Sequence, residues 1–163
     1  MKRIIIHWTA GAYQPNTTDF EHYHYLINGD GLLINGKYKP EDNLNCNDGK
    51  YAAHTGGGNT GSIGVAMCGM LNYSSLKGIS STKYPLTKTQ CERCFKLIAE
   101  LSKKYNIPIT PQTVMTHYEF GYRNPKTSSA GKIDITTLPP YLISSDKIGE
   151  FIRSSARWYL NKI

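Results

Sequence analysis

Apolar residues fall along this chain in short runs divided by glycine, asparagine and serine, except in two segments where they recur at intervals of three and four. In the first, Thr87 and Gln90 form a capping box, after which Cys91, Cys94, Phe95, Ile98, Leu101 and Tyr105 mark one stripe that ends before Pro108. That spacing predicts an amphipathic helix whose stripe lies on a sheet. In the second, a helix is predicted from Ser144 or Ser145 to the C-terminus, carrying Ile148, Phe151, Ile152, Trp158 and Tyr159 in spite of the helix-weakening Gly149.

The shorter runs read as strands. Residues 3–9, 23–28, 31–35 and 62–68 are rich in Ile, Val, Leu and Tyr and bounded by Gly and Asn, and a further short strand is predicted at 113–116. Asn28, Gly29, Asp30 and Gly31 supply the tight turn of a hairpin between the second and third. The order strand, hairpin, strand, helix, strand, helix predicts a mixed α/β fold, with a single central sheet flanked by helices. Two long polar connections, 36–61 and 118–132, are expected to carry function, whereas 71–85 reads as a surface linker.

Composition narrows the class. A chain of 163 residues with 39% hydrophobic and 19% charged residues is expected to form one domain over residues 1–163 with a core that needs no covalent staples. Cys46, Cys68, Cys91 and Cys94 have no framework spacing, and the C-x-x-C of Cys91 and Cys94 lacks a second pair, so reduced thiols are expected. No run approaches the length of a membrane span, and Ile4, Ile5 and Ile6 after Lys2 and Arg3 are too few for a signal-peptide core. Nineteen Lys and Arg against twelve Asp and Glu give a formal net charge of +7, which favours an anionic partner: nucleic acid, acidic lipid or an anionic polymer such as a cell wall. No basic helix or aromatic strand motif supports nucleic acid, so no nucleic-acid partner is expected.

The candidate chemistry lies in five histidines, His7, His22, His24, His54 and His117. His7 ends the first predicted strand and His117 ends the strand after the long helix, so an open sheet can bring both to one rim. Two such histidines suggest a metal, with Asp134 or Glu119 as the third ligand. His22 and His24 would point the same way on a strand, but no acidic residue follows to complete a barrel-type site.

Several segments together resemble a known family. Ile4-Ile5-Ile6-His7-Trp8-Thr9-Ala10, Tyr23-His24-Tyr25-Leu26-Ile27 running into Gly29-Asp30-Gly31, Ala53-His54-Thr55 with Asn59 and Ser62-Ile63-Gly64-Val65, Thr116-His117-Tyr118-Glu119 and Gly131-Lys132-Ile133-Asp134 are similar to the zinc-dependent N-acetylmuramoyl-L-alanine amidases, which include amidase-type phage lysozymes and peptidoglycan recognition proteins. The resemblance implies that His7, His117 and Asp134 hold Zn2+, which acidifies water to a pKa near roughly 7. It also implies catalytic roles for Tyr23, as proton shuttle or water-positioning group, and for Lys132, as a charge beside the tetrahedral oxyanion. Ala66 stands where another branch carries a glutamate, which places the chain with the tyrosine and lysine branch. His54, Asn59 and Trp8 are expected near the substrate, Asn59 also as a loop-shaping residue and Trp8 also as core.

The implied substrate is bacterial peptidoglycan, cut between the lactyl group of N-acetylmuramic acid and L-alanine. Tyr118, Tyr122, Arg123 and Lys126 are expected to grip peptide carboxylates. The segment before Tyr23 is shorter than in many relatives of that family, where a helix packs beside the groove. The resemblance further implies a monomeric phage or prophage endolysin without a separate wall-binding domain, synthesised in the bacterial host cytoplasm without a signal peptide and acting on the wall after release. A non-catalytic peptidoglycan-binding module is the competing expectation.

Overall fold

A computed structural model describes residues 1–163. Its five strands are β1 (Arg3–Trp8), β2 (Tyr25–Ile27), β3 (Leu33–Asn35), β4 (Ser62–Met67) and β5 (Val114–Thr116), joined in one sheet in the order β3-β2-β4-β1-β5. β1 runs parallel to β4 and β5, β2 runs parallel to β4, and only β3 is antiparallel, paired to β2 through the hairpin. Strands β1 and β4 are covered on both faces, which is why they read as unbroken apolar runs rather than alternating ones.

Alternation along the strands sorts their side chains onto two faces. Ile4, Ile6 and Trp8 of β1 and Ile63, Val65 and Met67 of β4 enter the main core with Phe95, Ile98, Leu101, Ile148 and Ile152. Those partners come from α2 (Lys88–Tyr105) and α4 (Ser145–Leu160), so both long helices cover one face. Thr87 and Gln90 cap α2 reciprocally, and the buried Gln90 amide also donates to Ile27 O at 2.8 Å and Cys68 O at 2.7 Å, pinning the helix start to the ends of β2 and β4. Cys91 and Cys94 lie in the core, as the helical stripe predicts. Ile5 joins Met115 and Phe120 on the opposite face, the face to which His7 also belongs.

Two short helices depart from the sequence expectation. α1 (Thr17–His22) is capped by Asn16 and Asp19, and α3 (His117–Arg123) by Thr116 and Glu119. Tyr23 therefore follows a helix in extended conformation instead of opening a strand, and His117 starts a helix instead of ending a strand. His22 ends α1, so the two-histidine strand geometry does not arise. The six-residue α1 occupies the short segment before Tyr23. Six- and seven-residue helices are too short to display a 3.6-residue stripe, which explains why periodicity missed them.

Glu119 stands outside the His7, His117 and Asp134 cluster. Its carboxylate pairs with the buried Arg153 of α4 at 3.0 and 3.2 Å, while Arg153 also donates to Val114 O at 3.0 Å. Gly149 lies directly under that carboxylate, where a Cβ would collide with Glu119. The glycine that weakens the helix in isolation is what lets α4 approach α3. No helix is long and apolar enough to cross a membrane.

Candidate metal centre

The face of the sheet opposite α2 and α4 opens into a cleft of about 920 Å³. Its lining includes Trp8, Tyr23, His54, His117, Lys132 and Asp134, with Leu71, Asn72 and Tyr73 among the other wall residues. The segment expected to be a plain surface linker thus begins as part of the cleft. Met70 and Asn72 there adopt left-handed backbone, with φ of 71° and 61°, and the turn is tied down by Met70 N–H to Tyr84 O at 2.7 Å and Leu71 N–H to Gly11 O at 3.0 Å.

Three side chains converge at the cleft floor. His7 Nδ1 lies 3.1 Å from His117 Nδ1 and 3.0 Å from an Asp134 carboxylate oxygen, and His117 Nδ1 lies 3.2 Å from the same carboxylate. All three residues are buried. The outward nitrogens reveal the tautomers. His117 Nε2 meets Ser129 Oγ at 3.0 Å, and that hydroxyl donates to Gly56 O at 2.7 Å, so the imidazole carries its proton on Nε2. His7 Nε2 faces His54 Nδ1 at 3.2 Å and Thr55 Oγ1 at 3.3 Å; His54 in turn donates from Nε2 to Ser62 O at 3.2 Å. Both chains of donors end on backbone carbonyls, which can only accept, and this leaves two bare Nδ1 atoms and a carboxylate facing one another.

That donor set fits a cation. Around a tetrahedral ion with bonds of about 2.0–2.1 Å, neighbouring ligand atoms sit about 3.3 Å apart, close to the separations found here. Two imidazoles and one carboxylate are also the ligand types that zinc takes in hydrolytic sites. Burial depresses the His7 imidazole to about 4, against which Asp134 pulls upward, so His7 is a neutral ligand at physiological pH. Burial pushes the Asp134 carboxyl up, but the imidazoles of His117 and His7 outweigh it and hold it below the ordinary carboxylate range. Burial, with the Asp134 charge, raises the Tyr23 phenol far above its usual range, so its proton is retained.

Around this centre the other sequence candidates separate. The Tyr23 ring packs against His7 with centroids 5.2 Å apart, and Lys132 lines the same cleft from the segment that carries Asp134. His54 is buried against β4, where Gly64 leaves the room: a Cβ there would stand 2.5 Å from the imidazole. His24 is held apart, with Nε2 donating to Asn43 Oδ1 at 2.8 Å and Nδ1 accepting from Gly64 N–H at 2.9 Å. Trp8 is buried in the core against Tyr73 and reaches the cleft only at its edge.

Asn59 is not in the cleft wall. Its Oδ1 accepts the N–H groups of His54 at 3.0 Å and Thr55 at 2.8 Å, so it shapes the loop that presents His54. Tyr118, Tyr122, Arg123 and Lys126 also fall outside the cleft lining, and Arg123 is spent on Pro111 O at 2.6 Å and on Glu119. Sequence reasoning missed Thr55, Ser129 and Asn43. Asn43 is fully buried and ties the long 36–61 connection together, donating to Ala52 O and Asn59 O and accepting from Ala52 N–H. Only the adjacency of Thr55 to His54 gave any signal for these three.

The fold, with a parallel-centred mixed sheet and a polar cleft opposite its two long helices, is that of an α/β amidase or peptidoglycan-recognition domain. Residues 1–134 match the family described as N-acetylmuramoyl-L-alanine amidase, and the chain belongs to that family. Among solved structures it is similar to PlyL, with 21% identity over 94% of this chain and 82% of that one and a TM-score of 0.50. It is also similar to the N-acetylmuramoyl-L-alanine amidase LysC from Clostridium intestinale, with 18% identity, 78% and 75% of the two chains covered and a TM-score of 0.49. Peptidoglycan recognition protein SD of Drosophila gives 18% identity, 78% and 74% coverage and a TM-score of 0.48. No curated protein matches.

Proposed function

We propose that this chain hydrolyses the amide between N-acetylmuramic acid and L-alanine in bacterial peptidoglycan, with Zn2+ held by His7, His117 and Asp134. The observation that carries the reading is the convergence of two bare Nδ1 atoms and one carboxylate at 3.0–3.2 Å on the floor of an open cleft. Family membership over residues 1–134 supports the choice of bond. A zinc ion bound there supplies Lewis acidity, polarising the scissile carbonyl and making water acidic enough to attack near neutral pH.

The chain's own groups do the rest. His54 and Thr55 hold His7 from behind, and Ser129 holds His117, so neither ring must reorient during the reaction. Tyr23 keeps its proton and stands against His7, where its hydroxyl can orient the attacking water or pass a proton towards the departing amine. Lys132 offers an ammonium to the oxygen that becomes negative as the carbonyl carbon turns tetrahedral. His54, Trp8 and the 71–73 wall border the path of the glycan and peptide, and Asn59 contributes through the loop it shapes.

The net charge of +7 suits adhesion to an anionic wall. The reading extends to one catalytic unit acting as a monomer, as a phage or prophage endolysin made in the host cytoplasm and reaching the wall after release. Purified peptidoglycan digested with zinc-loaded and chelator-stripped protein, and analysed by mass spectrometry, tests it. Free stem peptides that begin with L-alanine, lost on chelation and restored by zinc, are the expected result. Intact sacculi that merely retain the protein would make it a wall-binding module instead.

A further inference from the structure

Ser129 is fully buried in a turn whose sequence advertises no chemistry, yet its hydroxyl sits between the metal centre and the main chain. On one side is Gly56 O at 2.7 Å, an acceptor only; on the other is His117 Nε2 at 3.0 Å. A serine hydroxyl has one proton, and here the carbonyl takes it, so Ser129 must accept from His117. His117 has no other outward partner. It is the first residue of a seven-residue helix, whereas His7 sits in the middle of the sheet with β4 and β5 on either side.

The close approach of the two loops depends on glycine. A Cβ at Gly56 would run into Ser128, one at Gly57 into Thr127, and one at Gly58 into Phe120. Gly56 and Gly57 therefore let this backbone press against the 127–129 turn while Gly58 clears the Phe120 ring, and this brings the Gly56 carbonyl within reach of the serine.

We propose that Ser129, clamped to the Gly56 carbonyl, is the positioning residue that fixes the tautomer and ring orientation of His117 and thereby sets the affinity of the His7, His117 and Asp134 centre for zinc. This rests on the metal reading proposed above and deepens it. A ligating imidazole whose far N–H is already held is more basic and is oriented before the ion arrives, and removing such an outer partner typically lowers metal affinity 10–100-fold.

The test compares the parent, Ser129→Ala and Ser129→Thr by zinc competition against a chromophoric chelator, by the visible spectrum of the cobalt(II) forms, and by thermal unfolding of the metal-free proteins. Ser129→Ala should lose about 10- to 100-fold in zinc affinity and change the cobalt spectrum while still unfolding cooperatively, and Ser129→Thr, which keeps the hydroxyl, should stay within about threefold of the parent. A tight parent site with an unchanged alanine variant overturns the assignment of Ser129 alone. A parent that binds no zinc overturns the metal reading and this proposal together. Imidazole nitrogen shifts of the metal-free parent provide a measurement that needs no variant: an Nε2–H tautomer of His117 is expected, and an Nδ1–H tautomer overturns the proposal.

Discussion

His7 and His117 turn their Nδ1 atoms towards each other at 3.1 Å, although one comes from the inner strand β1 and the other from the start of a helix 110 residues later. Two neutral imidazoles gain nothing from meeting lone pair to lone pair, so the pair is arranged for something placed between them and Asp134. His117→Ala should therefore abolish stoichiometric zinc binding and peptidoglycan cleavage together. Metal content by mass spectrometry of the intact protein checks the first and release of stem peptides the second.

Lys132 lines the cleft without joining the ligand triplet, and its substitution should separate binding from turnover. Lys132→Ala should keep its zinc and lose roughly 10²- to 10³-fold in kcat, the range found when one oxyanion partner is removed. Equal loss of metal in Lys132→Ala and His117→Ala would contradict the separate roles.

Zinc that binds the folded chain alone must raise its stability. At a free concentration of about 1,000 times Kd the gain is about 4 kcal/mol. A rise in Tm of roughly 10 °C over the chelated protein follows for a chain of this size. Calorimetry with and without chelator measures it directly, and an identical Tm in both would argue against a site in the native state.

Acid should weaken the metal-free fold well before carboxylates titrate. Burial depresses His24 to about 4, partly offset by its bond to Asn43, against an unfolded value near 6.5. Between those values the unfolded chain binds the extra proton, so stability is fully present above pH 6.5 and declines as pH falls towards 4. His24 alone contributes on the order of 3 kcal/mol to this loss, and His7, depressed by burial in the same direction, adds to it. Urea unfolding at pH 7 and pH 4.5 is the measurement; a flat profile would mean that His24 is not buried neutral.

Glu119 and Arg153 form the one buried ion pair that joins α3 to α4, and Arg153 is only 5% exposed. Glu119→Gln should keep zinc binding yet lower unfolding free energy by about 1–3 kcal/mol, because the buried guanidinium loses one of two partner carboxylates and keeps Glu150. Loss of zinc without loss of stability would instead return Glu119 to the ligand set.

Much of this was legible in the sequence, and the parts that were not share a cause. The long helices and the hairpin came from patterns that extend over enough residues to declare a period or a turn. The apolar runs of β1 and β4 were equally clear, because strands buried on both faces carry little else. Positions His7, His117 and Asp134 were named from spacing at strand ends and from family resemblance, but His117 is delivered by a helix start, for which the Thr116 and Glu119 capping pair was the available sign. The outer residues gave almost no sign, Thr55 only through its place beside His54. Ser129, Thr55 and Asn43 matter through side-chain hydrogen bonds to residues far along the chain, and such bonds leave no periodic trace in the sequence. Arg123 and Lys126 misled in the opposite way: a basic loop suggests a grip on carboxylates, whereas Arg123 is engaged by backbone and by its own helix.

The proposed ligands also set an order of events for the newborn chain. His7 and Asp134 are 127 positions apart, so the earliest histidine has to wait in the sheet until almost the whole remaining polypeptide has been made and folded. Any chain halted or clipped before residue 134 has nitrogen donors at most and no carboxylate to close the set. On the proposed reading, fragments that end before Asp134 should be harmless to a wall, and the capacity to cut should arrive all at once, with the closing of the 129–134 segment over the two waiting histidines.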